Sequence, residues 1–363
     1  MDIVDVRVPR PVDGSPPWQD PEWLARATEW IDARLAEAGL ARAGAPRARG
    51  RMWSVVAQVP LADGGCVWFK ANPPASLFEP GLLDALTRWA PDMALPLVAV
   101  DTARGWTLSR DAGAHLGDLL KQDPDATARL APFVHRYAEL QILLGRRVDD
   151  LLALGVPDLR PHVVADRFEA LLGNASVRAA VGGRIADIVG PGAMDSGVQR
   201  DPDEVWITEA QFARLHTAAP GLRAVCAELA GIGVPVSLDH SDLHPGNIVE
   251  LGGRTAPFDW GDASVAHPFS TLLVLMRSAR SILSPEQADS LREIYLEPWR
   301  ATGISADELR RATQLAVRIA PISRALAWGR VFPCFAAVAE PGAQAARWLV
   351  RLLHTQGEDV TPG

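Results

Sequence analysis

The chain has 363 residues, more than one compact core usually holds, and 48% are hydrophobic against 22% charged, the balance of a globular protein with two domains or lobes. Its formal net charge of −8 argues against nucleic acid or an anionic membrane surface as the main partner. Three distant cysteines, Cys66, Cys226 and Cys334, form no CxxC pair, which argues against a disulfide framework or a thiolate zinc site and for a reducing cytoplasm.

The opening run MDIVDVRVPRPVDG does not read as a signal peptide, and no apolar run in the sequence approaches the ~20 residues that span a bilayer. The first predicted element is a helix over 21–38. Trp23, Leu24, Ala27, Trp30, Ile31 and Leu35 recur there at helical spacing, Pro21 suits a first turn and Gly39 a stop. Two β-rich runs, 54–59 and 66–71, flank Asp63-Gly64-Gly65, a hairpin turn. A short amphipathic helix is expected over 79–90, closed by Pro91, and then two more strands, 95–101 and 105–111. After Asp111-Ala112-Gly113 the pattern changes to helix over 125–147 and much of 161–231, with a mobile loop expected at 182–197. A short apolar strand, 235–239, leads into HSDLHPGNIV (240–249). Runs 247–250 and 255–259 form a second hairpin around Gly252-Gly253, and helices follow from 268. This plan predicts an α+β fold: a small β-rich lobe over 1–108, a hinge over 109–114 and a large mainly helical lobe over 115–363.

HSDLHPGNIV concentrates the polar chemistry. Asn247 opens one strand of the second hairpin and Asp259 ends the other, so a tight hairpin brings them together. A carboxylate and an amide oxygen at adjacent strand ends suit one hard cation such as Mg²⁺. Asp242 is left to face a substrate hydroxyl. The D-x4-N…D spacing matches a kinase catalytic loop followed by its metal-binding aspartate. Such chemistry also needs a lysine on a strand of the other lobe and an acid on the next helix. Lys70 ends the strand CVWFKA and Glu79 opens the helix after it. Only Lys70 and Lys121 are lysines among 36 basic residues, so a lysine kept at that place draws notice. Taken singly, Asp242 and Asn247 read better as turn-capping residues, and Lys70 reads equally well as a solvated strand end and Glu79 as an acid favoured by a helix dipole. The order Lys70, Glu79, Asp242, Asn247, Asp259 favours the kinase template.

With FDWGDA (258–263) following it, HSDLHPGNI resembles the aminoglycoside phosphotransferase family, relatives of choline kinases, whose motifs run H-G-D-x-x-x-x-N and I-D-W or F-D-W. The resemblance extends from about residue 45 to the C-terminus and is firmest at these motifs. It implies a two-lobed protein-kinase-like fold, ATP and Mg²⁺ as cofactors, and transfer of the γ-phosphoryl group to a hydroxyl of a small molecule. It implies Asp242 as catalytic base, Asn247 and Asp259 as Mg²⁺ ligands, Lys70 as phosphate contact with Glu79 as its partner, and His240 as a brace for the loop. The sequence has no G-x-G-x-x-G and no Walker A motif. The nucleotide-covering loop is therefore expected near RGRMWS (49–54), with Gly50 and Ser54, and adenine at the hinge backbone over Leu108–Asp111. Two departures stand out: Ser241 where the family usually has glycine, and HPFSTLL (267–273) without the aspartate of its D-L-A stretch.

The implied acceptor is an antibiotic or an amino-sugar-like metabolite, with antibiotic resistance as one role. Asp149, Asp150, Asp166 and Glu169 in the helical lobe are candidate contacts for an amino-sugar. Neither nucleic acid nor a membrane is expected as partner. Two alternatives belong to other classes. One is a metal-dependent hydrolase built on His240, Asp242 and His244, with His267 the nearest further ligand. The other is a nucleotide-binding pseudo-kinase, disfavoured because every catalytic position carries a competent residue.

Overall fold

The computed structural model describes residues 2–6, 17–51, 53–121, 125–184, 205–331 and 340–354. They fall into two compact units. The first comprises Met1–Gly113, Val249–Gly261 and Val331–Ala337; the second comprises Ala114–Ile248, Asp262–Arg330 and Val338–Gly363. Most of the loop expected at 182–197 lies outside the described residues.

The first unit is built on a six-stranded sheet. Its strands are β1 (Asp2–Val6), β2 (Arg47–Gly50), β3 (Val55–Pro60), β4 (Cys66–Ala71), β5 (Leu97–Asp101) and β6 (Trp106–Arg110), in the order β1-β2-β3-β4-β6-β5. β1 runs parallel to β2 and the other pairs are antiparallel. Helix α1 (Pro21–Glu37) starts where Asp20 accepts from the Glu22 amide, 3.0 Å, with Pro21 in its first turn. Trp23, Ala27, Ile31 and Leu35, one residue every four, form its buried stripe. They pack with Val55, Ala57, Val59, Val67, Phe69, Trp106 and Leu108 in one core. The Trp106 ring meets Trp23, Trp30 and Phe69 edge-on at 5.5, 5.6 and 5.7 Å. Because strand side chains alternate, residues between these face the other way. Val56, Gln58, Trp68, Lys70, Thr107 and Ser109 therefore share the opposite face, with Lys70 level with Val56 and Thr107. Helix α2 (Phe78–Trp89) lies between β4 and β5 in the chain. β9 (Ile248–Leu251) and β10 (Arg254–Pro257) are neighbouring strands whose Val249 and Ala256 pack with Ala112.

After a short strand β7 (Ala114–His115), the second unit is mainly helical: α3 (Leu116–Leu120), α4 (Ala126–Leu144), α5 (Val148–Ala153), α6 (Pro161–Leu172), α7 (Ala175–Ala179), α8 (Glu209–Gly231), α9 (Leu272–Ala279), α10 (Pro285–Leu296), α11 (Ala306–Val331) and α12 (Glu340–His354). Two short antiparallel strands, β8 (Ser237–Asp239) and β11 (Ser264–Ala266), run through it, with Asp239 opposite Ser264. A buried polar network fixes β8. The fully buried Gln141 of α4 donates to the carbonyls of Leu238 (3.0 Å) and Pro268 (3.2 Å) and accepts from the Tyr295 hydroxyl (2.5 Å). Ser237 donates back to the Gln141 carbonyl at 2.5 Å. In a dry interior each of these groups is costly to leave unpaired. Gln141→Leu conserves volume but orphans its partners, so urea denaturation should show a loss of about 1–3 kcal/mol; an unchanged midpoint would mean that the network does not hold β8.

Candidate functional site

In the first unit the Lys70 ammonium sits between two carboxylates, 2.6 Å from Glu79 Oε2 and 2.5 Å from Asp259 Oδ1. Strand β4 supplies the lysine and the first turn of α2 supplies Glu79. The segment just after β10 supplies Asp259. Glu79 is 1% exposed on its side chain and Asp259 51%, so one acid anchors the cation and the other reaches solvent. Burial works against the lysine's charge, but Asp259 and Glu79 outweigh it and hold its pKa above the ordinary value. Burial pushes the Glu79 carboxyl up, and Lys70 opposes that push.

Local structure explains how Asp259 comes to this position. Its φ is +63°, the left-handed region that costs a non-glycine residue about 1–2 kcal/mol. The flanking backbone is held to the α2 end of the unit: the Ser76 hydroxyl donates to the Gly261 carbonyl at 3.0 Å, and the Trp260 amide bonds to Glu79. One rung from Lys70, the Thr107 hydroxyl is buried without a hydrogen-bond partner. An ammonium, a half-exposed carboxylate and an orphan hydroxyl on one sheet face fit a polyphosphate nucleotide with a hard cation.

In the second unit the loop 240–247 is held from both ends. His240 is fully buried and its amide donates to the Tyr137 hydroxyl at 3.3 Å. Ser241, where the related motif has glycine, has φ +63°. Its hydroxyl donates to Asp239 Oδ2 at 2.9 Å, a bond glycine does not make and one that offsets the strain. His244 Nδ1 accepts from the Gly246 amide at 3.1 Å; a Cβ at Gly246 would come within 2.8 Å of that ring. Asn247 Nδ2 donates to the Asp242 carbonyl at 3.0 Å, so its amide oxygen is the atom that could ligate a cation.

Arg324, from α11, joins this loop to the next. Its guanidinium is 3.1 Å from Asp242 Oδ1 and 2.5 Å from Asp262 Oδ2, with 7% of the side chain exposed. Burial opposes its charge, and Asp262 and Asp242 overcome that and raise its pKa. Arg330 donates to the Asp262 carbonyl at 3.2 Å, and burial pushes its pKa down to about 10. Asp262 is thus half of an ion pair rather than the simple turn residue that DWGDA suggests. Nothing in the sequence marks Arg324, which lies among many arginines in a long helix. A buried-face position in α11 is the one signal it carries.

The structure brings Lys70, Glu79 and Asp259 together in one unit, and Asp242 and Asn247 together in the other. Ser54 is buried at the β2–β3 turn, where its carbonyl accepts from the Arg51 amide at 2.7 Å. Asp111 accepts from Trp68 Nε1 at 2.9 Å. Leu108 requires a correction. It sits in β6 between β4 and β5, so the sheet takes up its backbone, and its side chain is in the α1 core on the face away from Lys70. Its backbone is therefore not free for adenine. Three of the four acids offered for an amino-sugar are paired at the surface: Arg223 takes Asp166 at 2.7 Å and Glu169 at 2.8 Å, and Arg147 takes Asp150 at 3.3 Å. Of the histidines of the hydrolase alternative, His244 and His267 cap backbone. His267 Nδ1 accepts from the Phe269 amide at 3.2 Å, and burial pushes its pKa down to about 3. Among the described residues no three His, Cys, Asp or Glu side chains converge as a metal cage.

Residues 191–304 match the model of the phosphotransferase enzyme family, APH. No curated protein matches the chain by sequence. Among solved structures, choline kinase LicA from Streptococcus pneumoniae is similar at 11% identity and TM-score 0.55, over 91% of this chain and 99% of that one. Choline kinase from Cryptosporidium parvum is similar at 9% identity and TM-score 0.55, over 91% and 95%. Ethanolamine kinase from Plasmodium vivax is similar at 12% identity and TM-score 0.53, over 93% and 89%. Identities this low speak for the fold alone, and they bear out the protein-kinase-like α+β fold. The family match, confined to residues 191–304, bears out the resemblance to aminoglycoside phosphotransferases at the motifs that carry it.

Asp239, buried beneath the loop, gives a test of the loop's scaffold. Burial pushes its pKa up to about 6, against the hydrogen bonds from Ser241. In the unfolded chain an aspartate titrates near ~3.9. The folded state thus holds the proton more tightly, so this group's stabilising contribution is full below that unfolded value and is lost as pH rises through about 6. Asp239→Asn should flatten the fall in thermal stability across that window; a slope identical to the parent protein would place Asp239 outside the transition.

Proposed function

We propose that the chain, whose residues 191–304 carry the phosphotransferase family's model, transfers the γ-phosphoryl group of ATP to a hydroxyl of a small molecule. The observation that carries this reading is the Lys70 ammonium held between buried Glu79 and half-exposed Asp259. Glu79 fixes the lysine so that its charge meets the nucleotide's phosphates. Asn247, through its amide oxygen, and Asp259 would hold Mg²⁺, which when bound neutralises phosphate charge. All of these ligand atoms are oxygens, which suit Mg²⁺ rather than zinc.

Asp242 orients the acceptor hydroxyl and takes its proton, and Arg324 keeps that carboxylate aimed. The hydroxyl oxygen gains the bond to phosphorus, the bond to the bridging oxygen breaks, and its electron pair stays on ADP. Most of the rate would come from positioning and charge stabilisation. Gly50 and Ser54, at the β2–β3 turn, are the candidates for covering the nucleotide. Choline-like alcohols, amino-sugars and antibiotics are acceptor classes consistent with the related folds, and an antibiotic-resistance role is one outcome among them. A cytoplasmic enzyme fits this use of ATP; no described helix is long and apolar enough to cross a membrane.

Variants at three positions and a metal-removal comparison test the reading. Asp242→Asn keeps size and removes the base, so single-turnover phosphorylation should slow by ~10²–10⁴ with nucleotide affinity nearly intact; a near-normal rate would remove Asp242 from the chemistry. Asp259→Ala should abolish the dependence of nucleotide affinity on Mg²⁺, and Lys70→Ala should weaken productive use of ATP and lower thermal stability, because Glu79 is left buried without its cation. Activity that survives without Mg²⁺ but is lost on zinc chelation would contradict the metal assignment.

A further inference from the structure

Beside Asp242 the second unit gathers more positive charge than its own acids balance. The indole of Trp348, on α12, carries three guanidinium groups over its ring: Arg351 at 4.7 Å, Arg277 of α9 at 5.2 Å and Arg324 of α11 at 5.4 Å. Arg347 adds to the field at Arg351, and Arg330 to that around Arg324. Three acids face this group: Asp242, Asp262 and Asp239. Two are taken up by Arg324, and the third is buried against the Ser241 hydroxyl. Among the described residues, Arg277 and Arg351 have no carboxylate within ion-pair distance; their one recorded contact is the Trp348 ring.

Crowding guanidinium groups with too few carboxylates is unfavourable unless something else supplies negative charge. The repulsion is felt here: burial first, then Arg324, push the Arg277 pKa down and outweigh the opposing pull of Asp242, and burial, then Arg277 and Arg347, lower that of Arg351. The indole offsets part of this through its ring face. It also holds the guanidiniums in place, so their forks are ordered before any ligand arrives. Arg277 is exposed and Arg351 half-buried, so both can be reached. An amine would add charge of the wrong sign to this group, whereas an oxyanion would accept the free N–H donors in paired geometry.

We infer that the acceptor is an anion: a small hydroxylated molecule whose carboxylate or phosphate is gripped by Arg277 and Arg351, while its hydroxyl meets Asp242. This rests on the phosphotransfer reading for the role of Asp242, but the anion grip stands on its own geometry.

The test uses the full chain and four sugars of one skeleton: gluconate, glucose 6-phosphate, glucose and glucosamine. Calorimetric affinity is measured in the presence of Mg²⁺ and a non-hydrolysable ATP analogue, and ADP release is measured with ATP. At least one of the two anions should bind about tenfold or more tighter than glucose, the change expected of charge-assisted hydrogen bonds, and glucosamine should bind weakest. The tighter of the two anions identifies the group as carboxylate or phosphate. Arg277→Gln and Arg351→Gln should each remove most of that preference, and Arg351→Lys should keep part of it, with folding of each checked by thermal denaturation. Glucosamine binding best, charge-blind binding, no binding by any of the four, or Gln variants that keep the preference would each overturn the inference. Anion binding that is lost in the Gln variants, together with no ADP release from any sugar, would leave the anion site standing and reject the phosphotransfer reading.

Discussion

A single ammonium shared by two carboxylates organises the first unit. Lys70 ties the middle of the sheet to α2 through Glu79 and to the segment just after β10 through Asp259. Such a triplet is expensive to assemble. Glu79 gives up nearly all of its hydration, and Asp259 adopts a left-handed backbone. Removing the lysine would leave a buried acid with its cation gone, the situation that costs most in ion-pair networks. This explains why the sequence, otherwise almost devoid of lysine, keeps one here. Lysine's compact charge on a flexible stem suits a point contact to phosphate better than an arginine fork does.

The second unit uses the opposite choice of cation for a similar task. Arg324 spans Asp242 and Asp262 with two prongs of one planar group. A fork fixes the angle between its partners as well as their distance. That matters for the role proposed for Asp242, because a base must face its hydroxyl within a hydrogen bond's reach. Beneath it, Ser241 shows how a departure from the family motif is absorbed. The serine accepts the left-handed backbone that glycine adopts freely, and uses its hydroxyl on Asp239 to offset the cost.

Much of this was legible before the structure, for physical reasons that differ by element. The α1 stripe, the Asp63-Gly64-Gly65 hairpin and the strands on either side obey short-range periodicity and turn chemistry, so they read directly. Lys70, Glu79 and Asp259 could be proposed because their spacing follows a known order. β2 could not be read: Arg47-Ala48-Arg49-Gly50 alternates as a strand should, but its buried positions are alanine and glycine, which carry little hydrophobic signal. Leu108 was misassigned because a residue near the end of an apparent strand gives no sign of which neighbours will claim its backbone. Arg324 was missed because an ion pair across 62 and 82 residues of sequence leaves no local pattern.

The same gap between sequence and space governs charge. A net of −8 suggests an affinity for cations, and acids of the helical region look available for an amine. In space those acids are largely consumed: Arg223 holds Asp166 and Glu169, and Arg311 holds Glu228. Neutralised pairs at a solvated surface contribute little field. What a ligand meets is the local remainder, and around Trp348 the remainder has the other sign. An acidic protein can therefore present a local cationic cluster, because screening erases the distant excess and leaves the nearest uncompensated groups to select the ligand.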